Sequence, residues 1–165
     1  MLPDQPWLVM CPHCHVPLWI DELEVLGEGD GLGSGNGEFK DARRYESPVL
    51  DDSFELIDVV ADPQKERYIR LRAWWGGNDE RRVNAAKPPM SSREMANLTA
   101  LANMLDESDD NDLVMKAEAM RELGKFDNAL SLLAKSADQD IREAVAKIKS
   151  LAEERDTYVR NMDFK

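Results

Sequence analysis

The sequence predicts a mainly α-helical fold, namely a helical bundle preceded by a small N-terminal β-knuckle. Three observations lead to this prediction. Apolar residues recur at helical spacing from about residue 52 to about residue 154. Ser91 and Glu94 have the spacing of a capping box, which marks a helix N-terminus. Two short apolar runs flank a pair of cysteines near the N-terminus, a pattern typical of two strands joined by a turn.

Length, charge and cysteine content narrow the class of protein. The chain has 165 residues, enough for one domain with a small appendage. Its 33 acidic and 21 basic residues give a net charge of −12, which repels phosphate backbones, so no nucleic acid is expected as a partner. We find no apolar run near the roughly 18 residues of a membrane span and no signal-peptide pattern. Together with the two cysteines, this predicts a cytoplasmic protein that does not bind membranes.

The chain divides into three predicted regions. The knuckle occupies residues 1–26, and its two strands are expected at 7–10 and 17–20. Six of the nine glycines fall within residues 27–38, which we predict to be a flexible loop because glycine adds chain entropy and no side-chain packing. The helical body fills the remaining residues, 39–165.

The helix boundaries follow from capping residues and helix breakers. Asp62 followed by Pro63 begins one helix, and Gly76 with Gly77 is expected to end it. An acidic segment at 106–112 is predicted to be a loop that ends in a helix cap. The predicted helices are 52–60, 63–75, 92–105, 113–123, 127–135 and 139–154, with single helical turns at 21–26 and 156–165.

The segment at about 113–135 has the pattern of two helices joined by a tight turn. Gly124 permits the left-handed conformation that ends the first helix, and the small Ala117 and Ala129 permit close helix contact. The residues that carry the pattern are Ala117, Leu123, Gly124, Phe126, Ala129, Leu130 and Leu133. The pattern resembles the tetratricopeptide-type helical hairpin, which implies a protein-binding or scaffolding role. An ordinary helical hairpin has the same pattern, so both interpretations stay open.

The run from Cys11 to His15 reads Cys-Pro-His-Cys-His and is followed by an apolar strand. Two cysteines three positions apart on a tight turn can bind the same tetrahedral zinc ion. The run resembles one half of a zinc ribbon, a family in which glycine usually stands at the position of His15. The resemblance implies a structural zinc bound by Cys11 and Cys14, and His15 beside them is the candidate third ligand.

A closed zinc site needs four ligands, and the chain has no cysteine or histidine outside this run. Three interpretations therefore remain. The knuckle keeps its shape without a metal, or it binds zinc with a carboxylate as the fourth ligand, or two chains form a homodimer that shares one zinc. In the second interpretation the ligands are Cys11, Cys14, His15 and either Asp21 or Glu24.

The same cysteine pair has a redox interpretation. Cys11-Pro-His-Cys14 resembles the active-site tetrapeptide of thioredoxin-like thiol oxidases, which follows a strand and opens a helix. That resemblance implies Cys11 as the nucleophile and Cys14 as the resolving thiol. Pro17 would break the required helix early, and the rest of the chain lacks alternating strands and helices.

Basic and aromatic residues alternate along the helix predicted at 63–75. Arg67, Arg70, Trp74 and Trp75 are the candidate interaction residues, because tryptophan and arginine dominate interface energies. A surface for an acidic protein partner is the functional interpretation. In the alternative, one tryptophan lies in the core, the other is half-exposed, and the arginines pair with nearby carboxylates.

No catalytic set is evident, because nucleophile elbows, Walker-type loops and paired-histidine metal motifs are all absent from the sequence. Over about residues 8–20 and 113–135, the chain resembles a bacterial-type family that joins a zinc-ribbon-like knuckle to a tetratricopeptide-like hairpin. We therefore predict a non-enzymatic protein-interaction or scaffolding module, and a structural zinc in its knuckle is one of the three interpretations given above. The alternative is a thiol-disulfide oxidoreductase that uses the cysteine pair.

Overall fold

A computed structural model describes residues 6–27, 43–83, 88–136 and 141–160. The predicted glycine loop lies, beyond its first residue, outside these ranges. The protein is mainly helical with one small antiparallel sheet, as predicted. Its elements are β1 (Leu8–Met10), β2 (Pro17–Trp19), a short 3₁₀ turn (Ile20–Glu22), α1 (Leu50–Ile57), α2 (Pro63–Val83), α3 (Ser92–Met104), α4 (Asp110–Glu122), α5 (Phe126–Leu133) and α6 (Arg142–Glu153).

The chain forms two compact units, Met1–Asp52 and Ser53–Lys165. In the first unit, β1 and β2 pair in antiparallel register, with Val9 opposite Leu18. The backbone of Met10 also exchanges two hydrogen bonds with that of Glu46, at 2.9 and 3.1 Å. The first unit therefore contains chain from beyond the predicted knuckle, because a segment distant in sequence adds a bridge to the hairpin.

The second unit is a stack of helices. Neighbouring helices pack in chain order from α2 to α6, and α4 also packs against α6. Arg67 near the start of α2 pairs with Asp112 near the start of α4, and Asn78 near the end of α2 bonds Glu122 at the end of α4. These contacts show that α2 and α4 run parallel. The core residues between the helices include Leu98, Leu101, Ala102, Leu113, Ala117, Phe126, Ala129, Leu133 and Ile148.

The glycine pair at positions 76 and 77 does not end α2, which corrects the prediction. A Cβ atom at Gly77 would lie 2.4 Å from Oε1 of Glu94, so this glycine allows the Glu94 carboxylate to approach α2. Asn78 and Arg81, beyond the glycines, are both buried. Tertiary contacts thus offset the cost of about 1 kcal/mol that each glycine brings to a helix interior.

The other predicted helices begin and end within a few residues of the observed bounds, but the single turn predicted at 156–165 is not helical over its described residues, 156–160. The capping box is confirmed: Ser91 Oγ accepts from Glu94 N at 3.2 Å, and a Glu94 oxygen accepts from Ser91 N at 2.8 Å. Helix α4 begins earlier than predicted, since Asp109 caps it by accepting from Asp112 N at 2.9 Å. Carboxylates in a first turn are favoured by the helix dipole, which is why this acidic segment joins the helix. Within the described ranges, no helix is both long and apolar enough to cross a bilayer.

Candidate functional site

The cysteine knuckle is the turn that joins β1 to β2. Two backbone hydrogen bonds of 2.9 Å close it: His15 N donates to Cys11 O, and Cys11 N donates to Val16 O. His15 has a φ of 57°, in the left-handed region that glycine adopts most easily. Histidine enters this region more readily than most other residues. The turn therefore keeps a left-handed residue after the second cysteine although no glycine is present.

The Cys11 thiol lies among hydrogen-bond donors. The backbone amides of His13 and Cys14 donate to it and lower its pKa, and a hydrogen bond with the Cys14 thiol lowers the pKa further. Partial burial of the Cys11 thiol and the negative charge of Glu46 raise its pKa, but by less than the hydrogen bonds lower it. Cys14 is exposed and Cys11 is half-buried, and both thiols are free. The turn can thus stabilise a thiolate, the form that binds metals and attacks disulfides.

His15 lies between two carboxylates. Its Nδ1 is 3.4 Å from Glu46 and its Nε2 is 3.3 Å from Asp52. Both ring nitrogens therefore already have polar partners. In the part of the chain that the structure describes, no group of three or more histidine, cysteine or acidic side chains is placed to bind a metal ion. The two cysteines fit half of a tetrahedral zinc site, and the described side chains do not provide the other half.

The surroundings of the cysteine pair differ from those that the redox resemblance implies. The pair is followed by β2, which begins at Pro17, whereas a thioredoxin-like tetrapeptide opens a helix. The donors to the Cys11 thiol accordingly come from the hairpin turn.

The second candidate region is α2, where adjacent tryptophans differ in exposure. Trp74 is buried, and its Nε1 donates to Glu122 at 2.8 Å. Trp75 is 42% exposed. Successive residues on a helix lie about 100° apart, so the two rings point in different directions.

The two arginines predicted to lie in the interaction surface make internal contacts. Arg67 pairs with Asp112 on α4. Arg70 pairs with Glu66 at 2.8 Å and donates to Asn97 on α3 at 3.2 Å. Of the four predicted interaction residues, Trp75 is therefore the one that solvent reaches without an internal partner to displace.

An exposed stripe surrounds Trp75 on α2. Its members recur every three or four residues, so they lie on one face of the helix. They are Arg72, Trp75, Gly76, Asp79 and Val83, which we call the α2 stripe. Arg72 makes no ion pair with any residue in the described ranges, and Val83 is 85% exposed. The stripe thus combines an aromatic ring, an aliphatic side chain, a cation and the carboxylate of Asp79, which pairs with Arg82 at 2.5 Å.

A buried polar network fixes the opposite face of α2, and the sequence did not predict it. Glu122 is buried and accepts from Trp74 and from Asn78, the latter at 3.0 Å. Burial raises the pKa of Glu122, while the hydrogen bond from Trp74 opposes the rise. Next to it, Arg121 is fully buried and forms two hydrogen bonds of 2.7 Å with Glu118. Burial would lower the pKa of Arg121, but the pairing with Glu118 outweighs it and the pKa is raised.

The signal for this network was an acidic and basic cluster, Glu118, Arg121 and Glu122, at helical spacing inside the predicted hairpin. Three charges at these spacings are equally typical of a solvated helix face, so the sequence did not indicate burial. The network connects α2 to α4 and holds no solvent-facing reactive group. Its role is structural, since it fixes the helix that carries the α2 stripe.

A shallow cavity of about 340 Å³ lies against α4 and α5. At its edge, Glu107 lies 2.7 Å from the Lys135 ammonium and 2.9 Å from that of Lys116. The hydrogen bonds and charges of the two lysines, Lys135 first, lower the pKa of Glu107 to about 2. The cavity lining contains no nucleophile paired with a base, so we assign it no chemistry.

Comparison of the chain with protein-family models, with curated protein sequences and with solved structures found no match. Function is therefore inferred from the geometry of the knuckle and of the α2 stripe.

Proposed function

We propose that this protein is a non-enzymatic interaction or scaffolding module of the cytoplasm. It binds another protein through the α2 stripe, and its knuckle binds a structural zinc through Cys11 and Cys14. The observation that carries the proposal is the contrast between Trp74, which anchors α2 internally, and Trp75, which faces solvent on the same helix. A large ring held exposed on a fixed helix is the kind of residue that dominates binding energy at interfaces.

The helical stack supports a scaffolding role. Helices α2 to α6 pack in chain order, and α2 runs parallel to α4, as in stacked helical hairpins. Within the hairpin of α4 and α5, Gly124 has a φ of 73°, and Ala117 and Ala129 are fully buried. These features agree with a tetratricopeptide-like unit, a class of repeat that presents rigid surfaces to other proteins.

The stripe favours a partner that combines apolar and acidic groups. Trp75 and Val83 supply the apolar contact, and Arg72 supplies a cation with no ion pair among the described residues. The chain as a whole carries a charge of −12, so an acidic partner is attracted only locally, at this stripe.

Partner capture with variants of the stripe tests this function. Immobilised wild-type protein should retain a partner that Trp75→Ala loses and that Arg72→Ala retains more weakly. Val59→Ala is the matched control, because Val59 is 75% exposed and lies outside α2. Far-ultraviolet circular dichroism should be the same for all four proteins. Equal retention by wild type and Trp75→Ala would contradict the assignment of the stripe.

A second candidate function is thiol-disulfide exchange, favoured by the hydrogen bond between the Cys14 and Cys11 thiols. The Cys11 thiolate would attack a substrate disulfide and release one substrate thiol, forming a mixed disulfide. Cys14 would then displace the second substrate thiol and leave a Cys11–Cys14 disulfide, which an external dithiol must reduce. Alkylation rates measured against pH distinguish this candidate, because an ordinary Cys11 pKa of about 8.5 would exclude an activated nucleophile.

A further inference from the structure

We propose that two copies of this chain share one zinc ion, each copy contributing the thiolates of Cys11 and Cys14. This inference rests on the zinc-binding part of the proposed function. It adds the source of the two ligands that the described residues of one chain do not provide.

The first argument for a shared zinc is the number of possible ligands in the sequence. The chain contains two cysteines and two histidines, all within residues 11–15. Structural zinc sites are closed, with four cysteine or histidine ligands in tetrahedral geometry. A site of this kind within one chain would require four ligands from five consecutive residues, which cannot surround one ion.

The second argument for a shared zinc is the position of His15. Its two ring nitrogens face Glu46 and Asp52, at 3.4 and 3.3 Å. To bind zinc beside the thiols, one ring nitrogen would have to give up its carboxylate partner. No third acidic or histidine side chain in the described ranges stands with the two cysteines as a metal-binding group. The cysteine pair therefore remains a two-ligand site.

The third argument for a shared zinc is the accessibility of the knuckle. The tip of the hairpin, residues 13–16, is exposed throughout, and Val16 at its end is 50% exposed. A two-fold axis through the zinc would bring two such tips together. Each copy would then supply two sulfur ligands, and Val16 would gain apolar contact with the other copy. The result is a closed site of four thiolates, one of the common structural zinc sites.

The charge of the chain gives this dimer a distinctive salt dependence. Each chain carries −12, so two copies repel one another, and binding to a shared zinc has to overcome this repulsion. Screening weakens this repulsion. Zinc-dependent dimerisation should therefore strengthen when NaCl rises from about 50 to about 300 mM, whereas an interface formed by ion pairs would weaken.

The test is a zinc titration of reduced, chelator-treated full-length protein followed by light scattering. The mass should double and stop rising at one zinc per two chains, and a chelator should restore the monomer. Cobalt used in place of zinc should give the absorption bands of a tetrahedral site with four thiolates. Zinc saturating at one per chain on a monomer would overturn the shared site and leave zinc binding intact. No zinc binding at all would overturn both.

Substitutions in the turn distinguish the proposed zinc ligands from the residues beside them. Cys14→Ser should abolish both zinc binding and dimerisation. His13→Ala is the matched control, because it keeps the backbone amide that donates to Cys11. His15→Gly removes the ring and suits the positive φ, so it should also keep one zinc per two chains. A dimer that forms without zinc, or a His15→Gly variant that no longer binds zinc, would contradict the proposal.

Discussion

Trp74 and Trp75 are adjacent in the sequence but occupy opposite environments, and this contrast gives a stability prediction. Trp74→Ala should lower the free energy of unfolding by about 3–5 kcal/mol, because it opens a core cavity and leaves Glu122 without one donor. Trp75→Ala should change it by no more than about 0.5 kcal/mol. Urea denaturation of both variants provides the measurement. Similar losses in the two variants would show that Trp75 is part of the core.

Two glycines with different backbone conformations form a second matched pair. Gly76 lies inside α2, and a Cβ atom added there would meet nothing within 4 Å, so Gly76→Ala should raise the free energy of unfolding by about 0.5–1 kcal/mol. Gly124 has a φ of 73°, so Gly124→Ala should lower it by about 1–2 kcal/mol although the nearest side chain is 3.8 Å away. Thermal unfolding of both variants checks this. Changes of the same sign would refute the argument from backbone conformation.

At the scale of single residues, the sequence indicated which side chains were candidates for the core or for binding, but not which of them are buried. It predicted that one tryptophan would be buried and the other half-exposed, and it could not decide which. The decision depends on Glu122, 48 positions away from Trp74. The left-handed backbone conformation of His15 was likewise not predictable from its residue type, because glycine is the usual residue at such a position.

At the scale of helices and strands, local signals predicted most helix boundaries to within three residues, and the end of α2 is the exception. The capping box at Ser91 and Glu94 is a contact between near neighbours, so the sequence contained all of it. Beyond Gly77, α2 is held by contacts with other helices, from Asn78 to Glu122 and from Arg81 to Glu94, so the sequence could not indicate its continuation.

Glu107, in the segment between α3 and α4, pairs with Lys116 and Lys135, and these ion pairs predict how stability depends on pH. The folded chain lowers the Glu107 pKa from 4.5 to about 2, through Lys135 and Lys116. The unfolded chain therefore binds more protons between these values, so this group's contribution to stability is complete above pH 4.5 and is lost as the pH falls towards 2.

Carboxyl chemical shifts measured against pH should give a Glu107 midpoint of about 2 at low salt. Added salt should raise the midpoint, since the side chain is exposed and its ion pairs are screened. Glu107→Gln should flatten the acid limb of the stability profile, and Glu55→Gln, at another exposed acid, is the control. A midpoint near 4.5 would contradict the two-lysine contact.

At the scale of the whole molecule, the mainly helical class and the two-strand hairpin were predictable, because periodicity and turn residues are local properties. The extent of the first unit was not. Its bridge between Met10 and Glu46 joins segments more than thirty positions apart, and backbone pairing over such distances has no sequence signal. The cysteine pair was recognised from spacing alone, whereas the direction of the His15 ring required the structure.

Native mass spectrometry of the full chain, purified with reductant and without chelator, tests the central claim most directly. One spectrum reports both the number of chains and the number of zinc ions in each particle. We predict a particle of two chains with one zinc, which separates into metal-free monomers on acidification. A particle of one chain with one zinc, or a dimer without zinc, would contradict this prediction.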